Sequence, residues 1–259
     1  MVWAEPPLRT DDPGTPGERT AELNVSHVLV RTRSEVANAV PLFDLNYGQH
    51  VNDQWTIHAP VLVLDPAWGG AHGGVGDVLL GWKCRFLEED EEGFMASISP
   101  QLICPTGNAT LGLGQGRFAS FFPLEVGKHF LDERLLVYGE IGYHVVFGSS
   151  VDNAWLYGVA AAWKANERLE LMGEIAGEVL PRHGGPDDTF FNLGFKWKVF
   201  EHVALLGSAG RSFHGRGHDT PELMTFLGLQ ITWGGPQRPE GGPAPWELSS
   251  GGRTRRNAQ

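Results

Sequence analysis

The chain has 259 residues, 41% of them apolar and 20% charged, with 35 Gly, 9 Trp and a formal net charge of −11. No stretch approaches the roughly 18 uninterrupted apolar residues of a membrane-crossing helix, so a helical membrane protein is excluded. A transmembrane barrel is not, because alternating lipid-facing and lumen-facing residues average to low hydropathy; the acidic balance argues against a general nucleic-acid or anionic-lipid binder.

The chain opens Met1-Val2-Trp3-Ala4-Glu5-Pro6-Pro7, which is too short for a signal peptide but has the look of the end of one, with a cleavage-like Ala4. Residues 1–18 are expected to form a periplasmic segment. Arg9, Asp11 and Asp12 within it either fold inward as a plug or gate, or join Pro13 and Gly14 in an Asp-Pro-Gly turn that caps the periplasmic rim. The local turn chemistry favours the cap.

Period-two segments then follow one another, separated by turn residues, over 19–33, 36–48, 53–64, 75–88, 93–105, 116–130, 133–147, 153–165, 168–180, 189–200, 203–213 and 223–233. Most are longer than the five or six residues of an ordinary strand and suit the roughly 9–11 residues that a tilted strand needs to cross a bilayer. Pro41 and Pro60 blur the boundaries of the early strands and are read as bulges.

Connections alternate in length. Gln49–Asn52, Glu89–Glu92, Leu131–Asp132, Asn166–Glu167 and Glu201–His202 are short, whereas Asp65–Gly74, Thr106–Gln115, Gly148–Asp152, Pro181–Asp188 and His214–Glu222 are mostly longer. The first connection, near Ser34, breaks the rule. Outer-membrane barrels have short periplasmic turns and long extracellular loops, which puts both termini in the periplasm.

Side chains alternate too. In 75–88, Val78, Leu80, Trp82, Cys84 and Phe86 oppose Asp77, Gly81, Lys83 and Arg85; in 168–180, Leu169, Leu171, Ile175 and Val179 oppose Glu170, Glu174 and Glu178. The expected fold is all-β, a single antiparallel up-and-down transmembrane barrel of about twelve strands over 19–233. Residues 234–259, rich in Pro, Gly, Ser and Arg, read as a disordered tail. Strand pairing separates Cys84 from Cys104 beyond disulfide reach, so two free, buried thiols are expected. The closing strand, Thr225 to Trp233, resembles a barrel-insertion signal, which makes the insertion machinery and outer-membrane lipid expected partners.

The polar parity supplies lumen candidates: Glu22, Asp44, His58, Asp77, Lys83, Arg85, Gln101, Glu125, Glu140, His144, Glu170, Glu174, Asn192, Lys196, Lys198 and Gln230. Either they line a pore and set its charge selectivity, or they pair across a narrow lumen and seal it; Lys196 and Lys198 are expected beside Glu170 and Glu174. Gly112-Leu113-Gly114-Gln115-Gly116 lacks the Lys-Ser/Thr and the following helix of a phosphate loop. The ten histidines show no zinc spacing, and His214 and His218 merely flank a loop, so no metal, cofactor or catalytic residue is assigned.

Pro7-Leu8-Arg9-Thr10-Asp11-Asp12-Pro13-Gly14-Thr15-Pro16-Gly17, followed by Glu22-Leu23-Asn24, resembles the N-terminal signature of the MetA-pathway of phenol degradation family. Gly81 to Leu87, Ser99 to Gly107 and Phe191 to Gly194 resemble later motifs of that family. The resemblance implies an outer-membrane barrel that passes small, aromatic or hydrophobic compounds. The residues themselves leave three functions open: a channel or transporter for small molecules, an occluded structural or partner-binding barrel, and a barrel-embedded lipid hydrolase. Substrate and oligomeric state are not specified by the sequence.

Overall fold

Strands form here because apolar residues recur at every second position, so that one face of each strand can meet lipid while the other meets the interior. The computed structural model describes residues 6–89, 93–180, 188–215 and 220–235. The expected tail from 236, the Pro181–Asp188 connection but for its last residue, His218 and the side chain of His214 lie outside them.

Among the described residues, fourteen strands join one sheet: β1 (Thr20–Arg31), β2 (Glu35–Gly48), β3 (Asp53–Pro66), β4 (His72–Val75), β5 (Val78–Leu87), β6 (Met95–Ile98), β7 (Gln101–Cys104), β8 (Ala119–Phe130), β9 (Leu135–Val146), β10 (Ser149–Lys164), β11 (Leu169–Val179), β12 (Asp188–Phe200), β13 (Val203–Gly215) and β14 (Leu223–Gly234). β4 and β5 both pair with β3, and β6 and β7 both pair with β5 and β8. Each couple is therefore one wall strand in two pieces, broken at Gly76-Asp77 and at Ser99-Pro100. The wall has twelve strands, every neighbouring pair is antiparallel, and β1 closes it against β14 from Thr20↔Gly234 to Arg31↔Leu223. A closed ladder leaves no strand edge.

Pro41 and Pro60 do sit at an irregularity: the β2–β3 register shifts between Ala39 and Leu42, and Leu42 then pairs with Pro60. Two expectations need correcting. The Gly148–Asp152 connection is a tight turn, because β10 already begins at Ser149 and pairs with Val146. The two cysteines are free, with Cys84 opposite Ile98 and Cys104 opposite Val78, but both are only half-buried because their parity faces outward.

Outward positions carry Trp55, Trp163, Trp197 and Trp233 near the end with short turns, and Phe122, Trp155 and Phe213 near the end with long loops, all exposed. These are the two aromatic girdles of a membrane barrel. Inward positions carry Asn24, Asp44, Glu125 and Asn192, all essentially without solvent exposure. A folded interior of this kind requires that each such group find a partner.

Candidate functional site

Residues 6–13 do not cap the rim, whereas Thr15 Oγ1 beyond them donates to Val51 O in a short turn. The 6–13 stretch runs across the inside of the barrel, tied to strand after strand. Ser208 Oγ on β13 donates to Pro7 O at 2.6 Å. Leu8, 1% exposed, packs with Tyr138, Ala160 and Ala162 from β9 and β10, with Leu136 and Met172 beside them. Glu174 on β11 accepts from the backbone N–H groups of Arg9 and Thr10, from Thr10 Oγ1 at 2.6 Å, and from Asn192 Nδ2 at 2.6 Å. Four donors around one carboxylate satisfy its lone pairs and compensate its burial. The Arg9 guanidinium stands 4.9 Å over the Phe190 ring.

Further along, Asp11 N–H donates to Glu140 Oε2 at 2.9 Å, and Lys83 Nζ donates to Asp11 Oδ1 at 2.6 Å and to Asp12 O at 2.7 Å. Lys83 and Asp11 are both buried, so breaking this pair would strand a charge in a low-dielectric interior. Ser97 and Ser99 donate to the two oxygens of Glu125. Carboxylate oxygens of Asp11, Glu125 and Glu140 lie within 4.8 Å of one another. The wall is cut to fit the segment: a Cβ at Gly158 would lie 2.1 Å from Thr10 Oγ1, and one at Gly127 would lie 3.1 Å from Pro13. Only glycine lets the backbone approach so closely.

The lumen on either side of this crossing is not uniform. Along β1 the inward residues run Glu22, Asn24, Ser26, Val28, Val30; along β3 they run Gln54, Thr56, His58, Pro60, Leu62, Leu64; along β14 they run Gln230, Gly228, Phe226, Met224. Polarity falls away towards the long-loop end on each. A polar chamber of about 160 Å³ therefore lies at the short-turn end, lined among others by Glu22, Asn46, Gln54, Gln101 and Lys196. A second cavity, of about 570 Å³, lies towards the long loops and is lined largely by Leu42, Leu62, Leu64, Leu79, Ile103 and Leu113. His58, whose Nε2 is 2.9 Å from Asp44 Oδ1, lines this cavity from its polar side, and Asn24 and Asn46 donate to the same aspartate.

The connection between β7 and β8 folds into the mouth of the larger cavity. Its short 3-10 helix, Ala109–Leu111, is capped by Asn108. Asp77 accepts from Gly107 N–H and Gln115 N–H, and His72 Nε2 lies 2.7 Å from Leu111 O. Leu113, 3% exposed, is thereby pressed inward.

The structure thus gathers Asp11, Lys83, Glu125 and Glu140 in one cluster and Asp44 with His58 in another. Glu22 accepts from Gln230, and Glu170 faces Lys196 across the β11–β12 ladder. His144 lies inward on β9 opposite Phe121. Three candidates sit elsewhere. Arg85 binds Asn52 Oδ1 in the neighbouring short turn. Lys198 is exposed at the short-turn rim. Asp77 holds a loop. Glu174 faces Asn192, not a lysine, because the register pairs residue 174 with 192 and residue 170 with 196.

Leu8, Thr10, Phe190 and Leu113 were not among the residues expected here, since a rule that looks for polar side chains on the inward parity of a strand passes over apolar ones and over a segment that lies in no strand. The falling polarity along β1, β3 and β14 was the signal available.

No protein-family model matches the chain, and no curated protein does. Solved structures do resemble it in fold. The COG4313 outer membrane channel from Pseudomonas putida F1 superposes with a TM-score of 0.65 at 17% identity, over 89% of this chain and 99% of that one. The NanC porin gives 0.57 at 7% identity, over 81% and 98%. The KdgM porin gives 0.53 at 8% identity, over 82% and 99%.

Proposed function

We propose that this chain is an outer-membrane channel for small apolar molecules, oriented with its short turns and both chain termini in the periplasm, and that residues 6–16 are its internal barrier. The observation that carries this reading is the 570 Å³ cavity, an apolar chamber opening towards the long loops inside a membrane barrel whose other half is polar. Ligand sites of this volume are mostly apolar with a few placed polar groups, here His58 and Asp77. The fold likeness to solved channels and porins supports the same class. The resemblance of Pro7–Gly17 to the MetA-pathway family supports apolar or aromatic compounds.

The test is uptake of a radiolabelled monoaromatic compound by cells whose outer membrane carries the chain, against cells carrying Leu64→Glu. Leu64 is 7% exposed and lines the cavity, so a carboxylate there destroys its apolar character. Faster uptake with the unaltered chain, lost in the variant, is expected. Equal uptake with and without the protein would end this reading. A sealed barrel is the second reading, and the donors gathered on Glu174 favour it.

A further inference from the structure

The outward wall is aliphatic or aromatic over most of its height, as β14 shows with Leu227, Leu229, Ile231 and Trp233. Near the long-loop end, one sector departs from this. Arg31 on β1 pairs with Leu223 on β14, and the β13–β14 register, which pairs Gly210 with Met224, brings Arg211 to the other side of Leu223. All three are exposed on the outer face. The two arginines are two strand spacings apart, about 10 Å between backbones, within the span that two flexible side chains can close on one headgroup.

Neither arginine has an ion-pair or side-chain hydrogen-bond partner among the described residues. Arg33, two residues beyond Arg31, does: it pairs with Glu222 at 3.2 Å. The polar sector continues one and two rows lower, with Thr225 beside Leu29 and with His27 Nε2 2.9 Å from Asn38 Oδ1. Such groups would be costly in hydrocarbon. The two arginines escape that cost by their height, and the hydrogen bond between His27 and Asn38 lowers it for that pair. Leu223 is ten residues from Trp233 along β14, which at a tilt of about 40° is roughly 25 Å along the membrane normal, the height of the apolar band. The arginine row therefore stands at the level of lipid headgroups.

We propose that Arg31 and Arg211 form a binding site for the phosphate groups of the outer leaflet's glycolipid, the lipid A portion of lipopolysaccharide, with Thr225 and the His27–Asn38 pair beneath it. This rests on the orientation proposed above. Guanidinium groups match phosphate oxygens bidentately and are weakly hydrated, which suits an interfacial site. The site is local and stands against the chain's overall negative charge of −11, so it selects a headgroup at one sector and does not attract anionic surfaces generally.

The experiment is native mass spectrometry and thermal unfolding of the purified full chain in detergent, titrated with diphosphoryl lipid A. The same titration is run with fully dephosphorylated lipid A and with inorganic phosphate. Retention of diphosphoryl lipid A is expected, weakened at least about tenfold in R31Q/R211Q by the loss of hydrogen bonds to charged groups. R134Q, in a short turn at the opposite end, should leave it unchanged. Equal retention by R31Q/R211Q overturns the proposal. So does equal retention of the dephosphorylated lipid, which would assign binding to acyl chains alone. If inorganic phosphate competes fully at micromolar concentration, the site takes the free anion and the lipid assignment fails. Orientation is read separately, by labelling Ala71→Cys on intact cells with an impermeant maleimide. No labelling there refutes the orientation whatever the detergent titration gives.

Discussion

Glu174→Gln should release the internal segment without unfolding the barrel. In the native arrangement the carboxylate accepts from Arg9 N–H, Thr10 N–H, Thr10 Oγ1 and Asn192 Nδ2. Glutamine keeps one acceptor oxygen and turns an NH2 group towards N–H donors that then have nothing to donate to. A hydrogen bond to a charged group contributes about 1.5–3 kcal/mol, and an unmet buried donor costs about 1–3 kcal/mol. Allowing for relaxation, the docked segment loses about 2–4 kcal/mol, which raises its undocked population roughly 30- to 700-fold. The assay is the rate at which a water-soluble maleimide labels Leu8→Cys, in a background where Cys84→Ser and Cys104→Ser remove the native thiols. Leu8 is 1% exposed when docked, so labelling reports undocking. The comparison holds the reporter constant and varies residue 174 alone. A rise of less than about threefold in a barrel that remains folded would refute the assignment of Glu174 as the main anchor.

Three further outcomes follow from the same geometry. Gly158→Val should displace the segment as well, since even its Cβ would meet Thr10 Oγ1 at 2.1 Å; the same labelling rate should rise, and an unchanged rate would mean that the wall gives way instead. Phe190→Ala should lower the unfolding free energy in urea by about 3–5 kcal/mol, because Phe190 is 1% exposed in the interior cluster with Leu206, Met224 and Phe226. Asp77→Ala should free the connection between β7 and β8, whose Gly107 and Gln115 N–H groups then lose their acceptor, and protease should cut it faster at unchanged barrel stability.

The wall was legible because a barrel strand repeats with period two and a one-residue slip would turn every side chain to the wrong face. Breaks at Gly76-Asp77 and Ser99-Pro100 were not, since proline and glycine mark an interruption without saying that pairing resumes beyond it. The internal segment was legible only as a choice. Asp11-Asp12-Pro13-Gly14 has the chemistry of a local turn, and nothing local announces that Arg9 and Thr10 will meet Glu174, 165 and 164 residues away. Charge on one parity also hid the apolar half of the lumen. Val28, Val30, Leu62 and Leu64 share the inward parity with Glu22 and Gln54, so reading a strand as a single face averaged two environments that the structure separates by height.

The central claim is that a passage runs through this barrel and that residues 6–16 obstruct it. Single-channel recording in planar bilayers tests it most directly, comparing the full chain with one from which Pro6–Pro16 are deleted. Small or infrequent steps are expected from the full chain and larger, long-lived steps from the deleted one, with charge selectivity that shifts when Lys196 in the polar chamber is neutralised. A folded, inserted barrel that stays electrically silent in both forms would contradict the claim and leave the sealed barrel as the answer.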